Sequence, residues 1–115
     1  MRVLAIISAS LVLAGVAGAT APPIRHLPKG PSASMSTQRG QLVAVALPHV
    51  AGKSWRIARA PKPSVLRQVG EADVGKNVVV VFKAFGRGRA TVVFGLTRGE
   101  SPTATASRTF VVTVR

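Results

Sequence analysis

The sequence contains no cysteine and no tyrosine, and only three carboxylate side chains, Glu71, Asp73 and Glu100, stand among its 115 residues. Without cysteine, no disulfide can help stabilise the fold and no lipoprotein-type cysteine anchor is possible, so a stable domain must rest on packing alone. The shortage of acids and histidines also thins the inventory for catalysis. Glu71 and Asp73, two apart in a predicted loop, read as solvated turn residues rather than an acid/base pair. Ser54, His49 and Asp73 supply the residue types of a hydrolase triad, but no G-x-S-x-G turn frames the serine and no helix N-terminus is at hand for an oxyanion hole. Gly52-Lys53-Ser54 matches the end of a phosphate-binding loop, yet Leu47 occupies the place of its first glycine and no helix follows. Two histidines, His26 and His49, form no metal-ligand spacing. Neither an enzyme, a metal site nor a cofactor is expected.

Basic residues, by contrast, are plentiful. The formal net charge is +13, an excess that favours anionic partners through long-range attraction. Lysines and arginines are scattered without a dense run, and Trp55 and four phenylalanines are the only aromatics. Specific nucleic-acid reading is therefore not expected, whereas weak contact with polyanions or an envelope surface is.

The N-terminal residues carry the pattern of a secretory signal: Met1-Arg2, an apolar run from Val3 to Val16, and the small residues Ala17-Gly18-Ala19. The run is shorter than the ~20 residues a spanning helix needs. Cleavage is expected after Ala19, giving a secreted or periplasmic protein with no transmembrane segment. Removal of Arg2 lowers the net charge by one to +12. Residues 20–36, with Pro22, Pro23, Pro28 and Pro31, read as an extended, disordered leader, and residues 37–115 as one domain.

Within that domain Asn77 to Leu96 holds two apolar strands around a glycine-rich turn. Val78 to Phe82 is a β-branched run, and Ala90, Val92, Phe94 and Leu96 share one face of the return strand, with Thr91, Val93 and Gly95 on the other. Gly86 and Gly88 suit a tight reversal, so the two strands are expected as a hairpin and the central pair of a sheet. Further strands are expected at Gln41–Leu47, covered on both faces or capped by a loop, at Trp55–Ala60, at an edge from Ser64 to Val69, and at Arg108–Arg115. Gly70 to Gly75 reads as a tight loop and Thr97 to Ser107 as a polar one. About seven short strands with regular turn signals and no helix predict an all-β, immunoglobulin-like β-sandwich. Trp55 is expected to support the core, and its indole N–H needs an acceptor.

From Gln41 to Arg115, and best in FKAFGRGRATVVFGLTR and RTFVVTVR, the chain resembles the chagasin-type inhibitors of papain-like cysteine peptidases. The resemblance implies an immunoglobulin-like domain whose three loops at one end enter the peptidase cleft and block it. The family's first loop reads N-P-T-T-G-aromatic with tryptophan two residues on. Here Pro48-His49-Val50-Ala51-Gly52-Lys53-Ser54-Trp55 keeps the glycine and the tryptophan. The second, G-x-G-G, falls on Gly70 to Gly75, and the third, R-P-W, on Arg98-Gly99-Glu100, where only the arginine is kept.

By this resemblance the peptidase-binding loops are His49, Val50, Ala51, Gly52, Lys53 and Ser54; Gly70, Glu71 and Ala72; and Thr97, Arg98, Gly99 and Glu100. The implied partner is a papain-like cysteine peptidase bound by a monomer. Lys76, Arg87 and Arg89 are expected away from most of the wedge. The alternative is a basic immunoglobulin-like module that adheres to anionic surfaces or a protein partner without inhibiting anything.

Overall fold

Alternation of branched apolar residues with polar ones organises the chain into seven strands: β1 Ser32–Thr37, β2 Leu42–Pro48, β3 Ser54–Arg59, β4 Leu66–Val74, β5 Asn77–Ala84, β6 Gly88–Thr97 and β7 Ala106–Val114. The computed structural model describes residues 22–115, which contain no helix. Two sheets form a sandwich, one in the order β1-β7-β6-β3 and the other β2-β5-β4. All pairings are antiparallel except β1 with β7. This is the immunoglobulin-like β-sandwich that the spacing of strands predicts.

The expected central hairpin is absent in a specific way. β5 and β6 belong to different sheets and face each other across the core. Val80 and Phe82 of β5 and Val92 and Phe94 of β6 are buried, and the Phe82 and Phe94 rings meet edge to face with centroids 6.4 Å apart. The three linking residues, Phe85-Gly86-Arg87, can span roughly 10 Å when extended, which is the distance between packed sheets. Two backbone N–H groups of this crossing, from Phe85 and Gly86, donate to the Val65 carbonyl. Gly88 has a positive φ of 138°, but Gly86 is needed for a different reason: a Cβ there would lie 2.5 Å from the Ser64 carbonyl oxygen.

The leader expectation also changes. The signal-like residues and the first two leader residues lie outside the described region, but from Pro22 onward the chain is laid against the domain. Ser32–Thr37 pairs with Thr109–Val114 as β1. Before it, Arg25 and His26 donate backbone N–H groups to the Pro102 carbonyl (2.7 and 3.1 Å), Ala104 N–H donates to the His26 carbonyl (2.8 Å), and Ser107 Oγ donates to the Pro28 carbonyl (2.6 Å). Ile24 and Leu27 cover Gly95 on the outer face of β6. That face is therefore covered at Gly95, and Val93, two residues earlier on the same face, is buried as well.

The outer face of β2 shows the opposite. Val43, Val45 and Leu47 are buried, while Leu42, Ala44 and Ala46 are exposed, so this strand is covered on one side only. Gly70 to Val74 is strand rather than loop: β4 pairs with β5 as far as Val74↔Asn77, with a bulge between Gln68 and Gly70. β4 is a sheet edge, and the bulge disturbs the regular ladder that an edge would otherwise offer to another chain.

Candidate functional site: three glycine-tipped loops at one end

Three connections gather at one end of the sandwich. The β2–β3 loop is closed by Lys53 N–H donating to the Val50 carbonyl at 3.1 Å, with Gly52 at φ +75°. The β4–β5 connection is the two-residue turn Gly75-Lys76, with Gly75 at φ +58°. In the β6–β7 loop, Ser101 N–H donates to the Arg98 carbonyl at 3.1 Å around Gly99, at φ +54°. These left-handed values favour glycine, and an added Cβ at any of the three would meet nothing within 4 Å. Each loop thus presents bare backbone at its tip.

The β2–β3 loop lies in the middle and touches both neighbours. His49 N–H donates to the Lys76 carbonyl at 2.9 Å, and His49 Nε2 lies 3.2 Å from Asp73 Oδ1. On the other side Lys53 Nζ donates to Thr105 Oγ1 at 3.1 Å. Trp55 Nε1 donates to the Pro48 carbonyl at 2.8 Å, and the partly buried ring packs on the core, so the loop's base is fixed to the sandwich interior. The third loop is braced by the fully buried Thr97, whose hydroxyl donates to the Gly99 carbonyl at 2.7 Å, and by Arg56, which donates to the Ser101 carbonyl at 2.9 Å and to the Pro22 carbonyl.

The anticipated residues are only partly together. His49 to Lys53 form the middle loop, with Ser54 as the first residue of β3, and Arg98, Gly99 and Glu100 lie exposed beside them. Thr97 is a buried brace instead of a contact residue. Gly70, Glu71 and Ala72 are inside β4, paired with Val81, Val80 and Val79, and the second tip is Gly75-Lys76. Lys76 thus belongs to the loop end, contrary to its expected remoteness. Sequence reasoning missed this turn although its signal was present: a Gly-X pair between Val74 and the Asn77 strand is the form a two-residue hairpin takes.

A shallow cleft of about 190 Å³ opens between β3 and β4, lined by His49, Val50, Lys53, Ser54, Trp55, Glu71, Asp73 and Val78. It brings the triad residue types to one place without assembling a triad. His49 faces Asp73 through Nε2, and among the described residues no hydrogen bond joins His49 to Ser54. The His49 and Asp73 side chains are 46% and 79% exposed, so water screens the pair, which is worth at most about 1 kcal/mol. No group of three or more potential metal ligands occurs among the described residues.

Trp55→Phe should lower stability by about 1–2 kcal/mol, because it removes the indole donor and leaves the Pro48 carbonyl short of a partner. Amide exchange should then accelerate in residues 49–53 more than in β5–β7, and uniform acceleration would contradict this role for the indole.

No protein-family model and no curated protein matches this sequence. Solved structures do match. The crystal structure of the cysteine protease inhibitor EhICP2 from Entamoeba histolytica superposes with a TM-score of 0.59 at 16% identity, covering 76% of this chain and 99% of that one. The solution structure of amebosin matches with a TM-score of 0.51 at 15% identity, covering 76% of this chain and 100% of the other. At such identities the likeness is one of fold, and by that measure the chain shares its sandwich with a structurally characterised cysteine protease inhibitor.

Proposed function

We propose that this protein is an inhibitor of papain-like cysteine peptidases that acts by inserting its loop end into the active-site cleft. The observation that carries the reading is the alignment of three glycine-tipped loops, with the middle one hydrogen-bonded to each neighbour. A glycine in each tip leaves the backbone there uncovered and brings main chain, rather than a scissile side-chain anchor, toward the catalytic residues. The fold likeness to a cysteine protease inhibitor and the resemblance of the β6 and β7 segments to chagasin-type domains support it. The signal-like residues 1–19 support export to a secreted or periplasmic location.

In this reading the contacts are His49 to Ser54 in the centre, Val74 to Lys76 on one side, and Arg98 to Glu100 on the other. Gly52 approaches the cleft, while Lys53, Lys76 and Arg98 meet acidic rims. Trp55 holds the central loop from below. The third loop has Gly99-Glu100 where chagasin-type domains carry proline and tryptophan, and an aromatic anchor of that kind is typically worth ~2 kcal/mol or more. Affinity should therefore depend more heavily on the central loop.

Gly52→Ala tests this. The left-handed φ costs alanine about 1 kcal/mol of stability, and the new methyl projects from the tip, so the inhibition constant should rise at least tenfold. A variant destabilised to that extent but inhibiting as before would remove Gly52 from the contact. Competition adds a second readout: a peptidase whose cleft is filled by a covalently bound peptide should lose its binding to this protein, and retained binding would show that the loops do not enter the cleft.

A further inference from the structure

The charges of the molecule are divided between its two ends. All three carboxylates belong to the loop half: Asp73 beside His49, Glu71 opposite Val80, and Glu100 in the β6–β7 loop. The other end is built from the β1–β2 turn, the β3–β4 connector and the β5–β6 crossing. It carries Arg39, Lys62, Arg67, Lys83, Arg87 and Arg89 and no acidic side chain. Register fixes this grouping: Arg67 pairs with Lys83, Arg89 with Thr113 near the end of β7, and Gly40 N–H donates to the Ala84 carbonyl. Lys83 and Val80 are three residues apart, about 10 Å along β5, which exceeds the ~8 Å screening length at physiological salt. Glu71 therefore does little to neutralise the basic end.

Apolar surface adjoins these cations. Leu42, Lys83 and Arg67 form one row across the uncovered outer face of β2, β5 and β4, and Leu42 is 63% exposed. Next to the row Phe85, 38% exposed, has the Arg67 guanidinium 4.3 Å and the Lys83 ammonium 5.5 Å from its ring centroid. We propose that this end is a docking surface for anionic lipid bilayers, with the basic residues facing headgroups and Phe85 and Leu42 entering the interface. A second copy of the chain is opposed by like charge. A nucleic acid is less well served, because its phosphodiester chain offers no apolar counterpart to Leu42. The surface lies opposite the three loops, so docking would leave them pointing into solution.

Co-sedimentation of residues 20–115, which contain every strand of the sandwich, with phosphatidylcholine vesicles with and without phosphatidylglycerol tests the proposal. Binding is expected only to the anionic vesicles and should fall steeply with salt. With each basic residue at the surface contributing about fivefold, Arg39→Gln, Lys83→Gln and Arg87→Gln together should weaken it ~100-fold, and each alone about fivefold. Reading the singles beside the triple keeps the test valid if the triple variant is unstable. Lys53→Gln with Arg98→Gln, at the loop end, should leave vesicle binding unchanged. Phe85→Ala should weaken vesicle binding but not retention on a soluble polyanion such as duplex DNA. Failure to bind anionic vesicles, equal loss from either end, or indifference of vesicle binding to Phe85→Ala would each overturn the assignment.

Discussion

Phe94→Ala should lower the unfolding free energy by about 3–5 kcal/mol, the range for removing a large aromatic side chain from a packed core. The ring is 2% exposed and sits between two others, with Phe82 at 6.4 Å and Phe110 at 5.9 Å, both edge to face. It thus links β6 to β5 in the opposite sheet and to β7 in its own. A domain of this size commonly has only about 5–10 kcal/mol of net stability, and no disulfide is available to limit the unfolded chain. The variant should therefore melt about 12–40 °C lower, at about 4–8 °C per kcal/mol. Phe85→Ala, at the crossing where the ring keeps 38% of its surface in water, should cost less than Phe94→Ala, about 1–2 kcal/mol. Urea unfolding of the two variants checks both values, and equal losses would mean that the aromatic triplet is not the centre of the core.

Gly30→Ala should cost about 2–3 kcal/mol, a large effect for one methyl group near the surface. A Cβ at Gly30 would fall 2.0 Å from the Ser107 carbonyl oxygen and 2.6 Å from its hydroxyl oxygen, so backbone must move. The contacts on either side make that movement expensive: Ser107 Oγ donates to the Pro28 carbonyl, and Thr109 N–H donates to the Pro31 carbonyl at 3.0 Å. Faster amide exchange at Ala104 and Thr109 should accompany the loss. Gly95→Ala should cost less, because its Cβ would meet only the side-chain carbons of Ile24, Ala104 and Leu27, at 2.8–3.1 Å. A silent Gly30→Ala would return residues 22–31 to the status of a loose spacer.

That segment also marks where the sequence ceases to be readable. Strand positions follow from local alternation, and Leu42–Pro48, Asn77–Ala84, Gly88–Thr97 and Ala106–Val114 lie close to where their apolar residues put them. Partners across space are not local. A short glycine-rich link after Ala84 serves a hairpin and a crossing between sheets equally well, and the choice depends on Phe82 and Phe94 packing edge to face across the core. Proline content hides Ile24 and Leu27, two isolated apolar residues whose value appears only once Gly95 leaves a recess for them on the outer face of β6. At the loop end Gly52 and Gly99 were legible as tips. The second tip is hidden because the G-x-G-G pattern falls on Gly70, where the backbone is strand, rather than on Gly75-Lys76.

The division of the molecule follows from these placements. One end carries bare backbone tips tied together by His49 and Lys53, and the other carries cations around an exposed phenylalanine. Blocking a peptidase and resting on an anionic surface would use opposite faces, so substitutions at one should leave the other intact.

The inhibitor reading is tested most directly by titrating residues 20–115 against a papain-like cysteine peptidase at low and high salt while following substrate turnover. Saturable, one-to-one inhibition that persists at high salt, weakened only as far as the rim contacts of Lys53, Lys76 and Arg98 are screened, is the predicted result. Undiminished turnover at a large excess of this protein, or inhibition that disappears as salt rises, would contradict insertion of the three loops.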